Sequence, residues 1–152
     1  MSPTLRTAIC PVSPHAAEAG VRFTYSLTVP GTCSSAAVVR TAVRSALHAH
    51  RLRRYTFPAQ LAASELVSTA ARLAPGEDAY FSLGCRPDSL RLVLWDQHPR
   101  HEEPDAETVC AARRRRALWL LDVAVEDWGG EWGITEAQPP HRGTKSWVVL
   151  PW

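Results

Sequence analysis

Apolar and polar residues alternate through Val21-Arg22-Phe23-Thr24-Tyr25-Ser26-Leu27-Thr28-Val29. This period of two belongs to a strand with one buried face, and Pro30-Gly31 stops it. The period then changes. Val38, Val39, Ala42, Val43, Ala46 and Leu47 recur at helical spacing behind Thr32, Ser34 and Ser35, any of which can cap a helix running to about His50. A second helix carries Pro58 in its first turn and an apolar stripe of Ala62, Leu66, Ala70 and Leu73, and ends at Pro75-Gly76. Ala79 to Arg86 and Leu90 to Trp95 read as strands joined by the turn Pro87-Asp88-Ser89. His98 to Pro104 is a polar, proline-bounded loop. A third helix is expected from Ala106 to about Val125, then strands from Trp128 to Ala137 and Lys145 to Leu150.

Strands in pairs with helices inserted between them predict an α+β two-layer sandwich, a mixed and mostly antiparallel sheet with helices on one face. The 152 residues fit one core. Residues 1–18, with Pro3, Pro11 and Pro14, read as a flexible N-terminal arm, and residues 19–152 as the domain.

Composition narrows the function classes. Apolar residues make up 45% of the chain, an ordinary globular share, and the net charge is only +2. There is no overall electrostatic case for nucleic acid. The clusters Arg51 to Arg54 and Arg113 to Arg116 keep a basic nucleic-acid-binding module as an alternative, one that steep salt dependence would reveal. Arg40, Arg44, His48 and Arg51 form a further basic stripe, read as a solvated helix surface. Cys10, Cys33, Cys85 and Cys110 are widely spaced with no CxxC pair, the pattern of reduced, mostly buried thiols in a cytoplasmic protein. No signal-peptide core opens the chain, and no run approaches the roughly 20 apolar residues that span a bilayer. His98-Pro99-Arg100-His101-Glu102-Glu103 gathers nitrogen and oxygen donors, but proline within a loop and the lack of a fixed scaffold argue against a metal site. Trp128 and Trp132, if exposed, are candidates for a protein-binding patch.

The second helix carries the most suggestive chemistry. Glu65, Thr69 and Arg72 fall at i, i+4 and i+7 and project to one side. A carboxylate, a short polar group and a cation on one face suit a metal-bound phosphate. Ser64-Glu65-Leu66-Val67 resembles the N-box helix of the gyrase, histidine-kinase and mismatch-repair (GHKL) ATPase superfamily. With Tyr25-Ser26-Leu27-Thr28-Val29-Pro30, Leu92-Val93-Leu94-Trp95-Asp96, Asp127-Trp128-Gly129 and Gly143-Thr144-Lys145-Ser146-Trp147, the order of pieces resembles its anti-sigma-factor serine-kinase branch, abundant in actinobacteria. The resemblance covers about residues 21 to 152.

What it implies is residue-specific. Glu65 would polarise the attacking serine hydroxyl as the catalytic base, and would border the bound ATP together with Arg72. Thr69 stands where the family places the asparagine that binds Mg²⁺, so metal binding would be weakened. Asp96 would accept a hydrogen bond from the adenine amino group. The phosphate segment reads Arg113-Arg114-Arg115-Arg116-Ala117-Leu118 where glycines are expected, so arginines, Arg116 among them, would have to hold phosphate. In the last box, anchored on Trp147, Lys145 falls at the family's threonine position. Thr144 could take that role only by a one-residue slip with a bulge at Gly143. The cofactors implied are ATP and Mg²⁺, and the partners a sigma factor or an anti-anti-sigma-like protein. Members of that family often dimerise. The departures favour a regulatory protein acting by protein contact with weak or lost catalysis, and the active serine kinase is the alternative.

Overall fold

The computed structural model describes residues 22–137, 140 and 142–152. The expected arm, 1–18, lies outside the described residues. The elements follow in the order β1 (Phe23–Val29), α1 (Ser35–Ala49), α2 (Thr56–Leu73), β2 (Ala79–Cys85), β3 (Ser89–Asp96), α3 (Pro104–Ala117), α4 (Trp119–Asp127), β4 (Glu131–Glu136) and β5 (Thr144–Pro151), with a 3-10 turn at Arg53–Tyr55 before α2. The strands form one sheet in the order β1-β2-β3-β5-β4. All four pairings are antiparallel, so the two-layer α+β sandwich forms without the parallel contribution that a mixed sheet would have.

Alternation decides what the strands β2, β3 and β5 bury. Phe81 and Leu83 of β2, Leu90, Leu92 and Leu94 of β3, and Val148 and Leu150 of β5 all lie at or below 2% exposure, while their sequence neighbours face the other way. The helices meet that face with Val39, Val43 and Leu47 of α1, Ala59, Ala63 and Leu66 of α2, and Leu121 and Val125 of α4. Each of these leucines contributes about 1.5–3 kcal/mol by leaving water. Val38, expected on the core face of α1, is exposed because its neighbour Val39 takes the inward direction at that turn.

The third helix differs from expectation. The chain breaks at Leu118, between α3 and α4, and this fully buried leucine turns the axis. The break separates two chemistries. Downstream, α4 has an apolar face. Upstream, α3 has none: Arg114 is its one buried residue. Local signals suffice to make α3 a helix. Pro104 sits in its first turn, Asp105 and Glu107 complement the positive N-terminal end, and Arg114, Arg115 and Arg116 complement the C-terminal end. What docks it on the domain has to be polar.

Trp128 and Trp132, candidates for a binding patch only if exposed, are half-buried. Both rings pack partly buried against the core, and Trp132 donates its Nε1–H to Asp122 at 2.7 Å. Exposed apolar side chains are spread over the helices, and on α4 Trp119 (63% exposed) and Val123 (54%) stand one turn apart. Among the described residues, no helix is long and apolar enough to cross a membrane.

Candidate functional site

Asp96 ends β3 with the same inward parity as Leu90, Leu92 and Leu94, so the pleat delivers its carboxylate to the helix-covered face. It is 2% exposed. A charge there needs a partner, and α3 provides one. Arg114 lies in bidentate contact, with one terminal nitrogen donating to Asp96 Oδ2 at 2.6 Å and the other to Oδ1 at 3.1 Å. Both side chains are at most 5% exposed. The backbone N–H of His98 also donates to Asp96 Oδ1, at 3.0 Å. Both carboxylate oxygens are therefore taken by the chain's own donors. The carboxylate that the resemblance assigns to adenine is spent on holding α3.

The other implied residues are placed as follows. Glu65 is half-buried on α2, and no hydrogen bond or ion pair to it occurs among the described residues. Thr69 is 1% exposed, and its hydroxyl accepts from Arg72 at 3.4 Å, so a would-be metal ligand is enclosed by packing and tied to the neighbouring cation. Thr144 stands opposite Asp96 in the β3–β5 register. It shares Asp96's face with no slip, because the pairing runs without interruption from Ser89↔Pro151 to Asp96↔Thr144. Lys145 goes to the opposite face, where its ammonium lies 5.7 Å from the centroid of the Trp95 ring. Trp147 and Lys145 therefore share the face turned away from the helices, opposite to that of Asp96 and Thr144. Gly143, at φ +104°, lets the chain pass against Asp96: a Cβ there would run into the Asp96 carbonyl oxygen. Arg116 is exposed in the last turn of α3, and Arg115 lies 6.0 Å from the Trp132 ring, so the arginine run splits among an ion pair, a ring contact and solvent.

One further group assembles beside the ion pair. His98 Nε2 lies 2.8 Å from Cys110 Sγ, and the His101 ring meets the His98 ring edge to face at 5.2 Å. Cys110 and Arg114 are one turn apart on α3, which therefore contacts the loop after β3 through both. Burial holds the His98 imidazole below its ordinary pKa, reinforced by the positive charge of Arg114. A cavity of about 230 Å³ lies here, bordered by His98, His101, Glu107, Cys110, Arg114 and Thr144 among others. It adjoins a larger space of about 860 Å³ between the 98–102 loop and the Gly143–Thr144 turn. Neither cavity is bordered by Glu65, Thr69 or Arg72.

Sequence reasoning missed Arg114 and Cys110 as site residues. The signal for Arg114 was present: a lone inward carboxylate on an apolar strand, followed by four consecutive arginines on a helix, one of which must face inward. Cys110 gave no signal, because its distance from His98 in space cannot be read from separation along the chain. No protein-family model matches the chain, and no curated protein matches it.

Proposed function

We propose that this chain is a regulatory protein on the scaffold of the anti-sigma-factor serine kinases, with its nucleotide site closed by its own Arg114, acting by contact with a sigma factor or an anti-anti-sigma-like protein. The observation that carries the reading is the bidentate Arg114–Asp96 pair. Adenine recognition at Asp96 would require expelling a guanidinium from a buried carboxylate, and breaking such a pair costs about 3–5 kcal/mol. That cost outweighs the roughly 1.5–3 kcal/mol that a hydrogen bond to a charged group contributes. The enclosed Thr69 hydroxyl adds a second obstacle, on the metal side. With catalysis lost, function rests on surface, and α4 offers Trp119 and Val123 as an exposed apolar pair.

Titration with a fluorescent ATP analogue, with and without Mg²⁺, tests the closed site. No saturation is expected in either condition. Thr69→Asn, which restores the family's metal ligand, should leave the titration flat because Arg114 still fills the adenine end. A magnesium-dependent dissociation constant in the micromolar range would return the chain to the active kinases. Purified sigma factors and anti-anti-sigma proteins of the same organism test the partner class by fluorescence anisotropy. Saturable binding to one of them, weakened at least about tenfold by Trp119→Ser, is expected. No binding to either class would remove the partner assignment.

A further inference from the structure

We propose that His98, His101 and Cys110 form a zinc-binding site that clamps α3 to the loop following β3. A ring nitrogen of each histidine and the Cys110 sulfur all lie within 4.8 Å of one another. In a tetrahedral zinc site, bond lengths of about 2.0–2.3 Å place nitrogen and sulfur donors about 3.3–3.6 Å apart. The His98 Nε2–Cys110 Sγ separation of 2.8 Å has to open by under about 1 Å, and the wider pairs, within 4.8 Å, have to close by up to about 1.5 Å. These are side-chain movements within a loop and one helix face.

One orphaned atom points to a missing ligand. His101 Nε2 is buried and has no hydrogen-bond partner. Burying such an atom unpaired costs about 1–3 kcal/mol, so orphans of this kind call for an explanation. A cation held between the rings satisfies one ring directly, and it draws Cys110 away from the hydrogen bond that now occupies His98.

Donor chemistry selects the ion. Two imidazoles and a thiolate suit zinc and exclude magnesium and calcium, which take oxygen donors. The ligands must be neutral imidazole and thiolate. Arg114 would repel a cation if uncompensated, but Asp96 neutralises it at 2.6 Å. Three protein ligands leave a fourth position toward the 230 Å³ cavity, where Glu107, one turn before Cys110 on α3, is within the lining. The scaffold that the loop alone lacks is provided by α3: Glu107, Cys110 and Arg114 fall at i, i+3 and i+7 on one helix face.

Chelator-treated full-length protein, kept reduced and titrated with Zn²⁺ against a chromophoric competitor, tests the site. One ion per chain is expected, with a rise in melting temperature. Cobalt substitution should give a tetrahedral spectrum with a thiolate charge-transfer band that Cys110→Ser abolishes. Losing an outer partner of a metal ligand costs about 10–100-fold in affinity, so Cys110→Ser and His101→Gln should each cost about a hundredfold or more. Cys33→Ser, at an exposed position, should change nothing. Circular dichroism in chelator checks that each variant folds, and His101→Gln decides the matter if Cys110→Ser does not. The proposal falls if the wild type fails to compete for zinc, if the cobalt complex lacks the thiolate band, or if a folded ligand variant binds as tightly as the wild type. None of these readouts depends on the nucleotide site.

Discussion

Arg114→Met isolates what holds α3. The substitution keeps an unbranched stem of similar length and deletes the guanidinium. Asp96 would then be left 2% exposed with the His98 N–H as its remaining donor. Stranding one member of a buried pair costs about 3–5 kcal/mol. For a chain of this size each kcal/mol moves the melting temperature by about 2–4 °C, so a fall of roughly 10 °C is expected. The double variant Asp96→Leu/Arg114→Met removes both charges, and replacing a whole buried pair by apolar groups is neutral or stabilising by about 1–4 kcal/mol. Urea denaturation of the four proteins closes a double-mutant cycle whose coupling should be about 3 kcal/mol or more. The cost should persist in strong salt, because a pair at most 5% exposed is poorly screened. A single-variant loss below about 1 kcal/mol, or two losses that simply add in the double variant, would show that Arg114 is not a buried counter-charge and would reopen Asp96 to adenine.

Two other expectations follow from the same geometry. Gly143→Ala should destabilise by about 2 kcal/mol or more in denaturant titration, because it combines φ +104° with a collision against the Asp96 carbonyl. Gly76→Ala, also at positive φ but with open space around it, should cost only about 1 kcal/mol, and equal losses would refute the collision argument. Thiol labelling at pH 8, read by peptide mapping, should modify exposed Cys33 in the native state and spare Cys85 until unfolding. Burial raises the Cys85 pKa, so its thiol stays protonated there as well as shielded. Comparable native-state rates at the two cysteines would contradict that burial.

Most of the architecture was legible because hydrophobic period is a local property. The helical spacing of Val39, Val43 and Leu47 fixes both the element and the face it buries, whereas the alternation at Phe23–Val29 fixes the strand but not its burial: Val29 is buried and Tyr25 is 48% exposed. The break at Leu118 was not legible: arginines are good helix formers and hide a change of axis inside an uninterrupted helical pattern. The candidate site was legible only in part. Asp96 stands out as a carboxylate closing an apolar strand, but its partner lies on an element whose orientation is set by that very contact. Anchoring the last box on Trp147 put Lys145 at the threonine position, whereas the Trp147 ring lies on the outer face across Gly133 and Thr144 shares the face of Asp96. His98 and His101 looked unsupported because the third donor sits on a helix that composition alone would leave in solvent.

The absence of an apolar face on α3 separates its fate from that of the domain. Detaching its 14 residues would sacrifice one charge pair, one thiol–imidazole contact and the approach of Arg115 to the Trp132 ring while leaving the leucines of β3 in the buried core. Amide protons of Pro104–Ala117 should therefore exchange through an opening far smaller than global unfolding. The segment is built like a latch, whose closure can be set by a small local free energy with no need to remake the core.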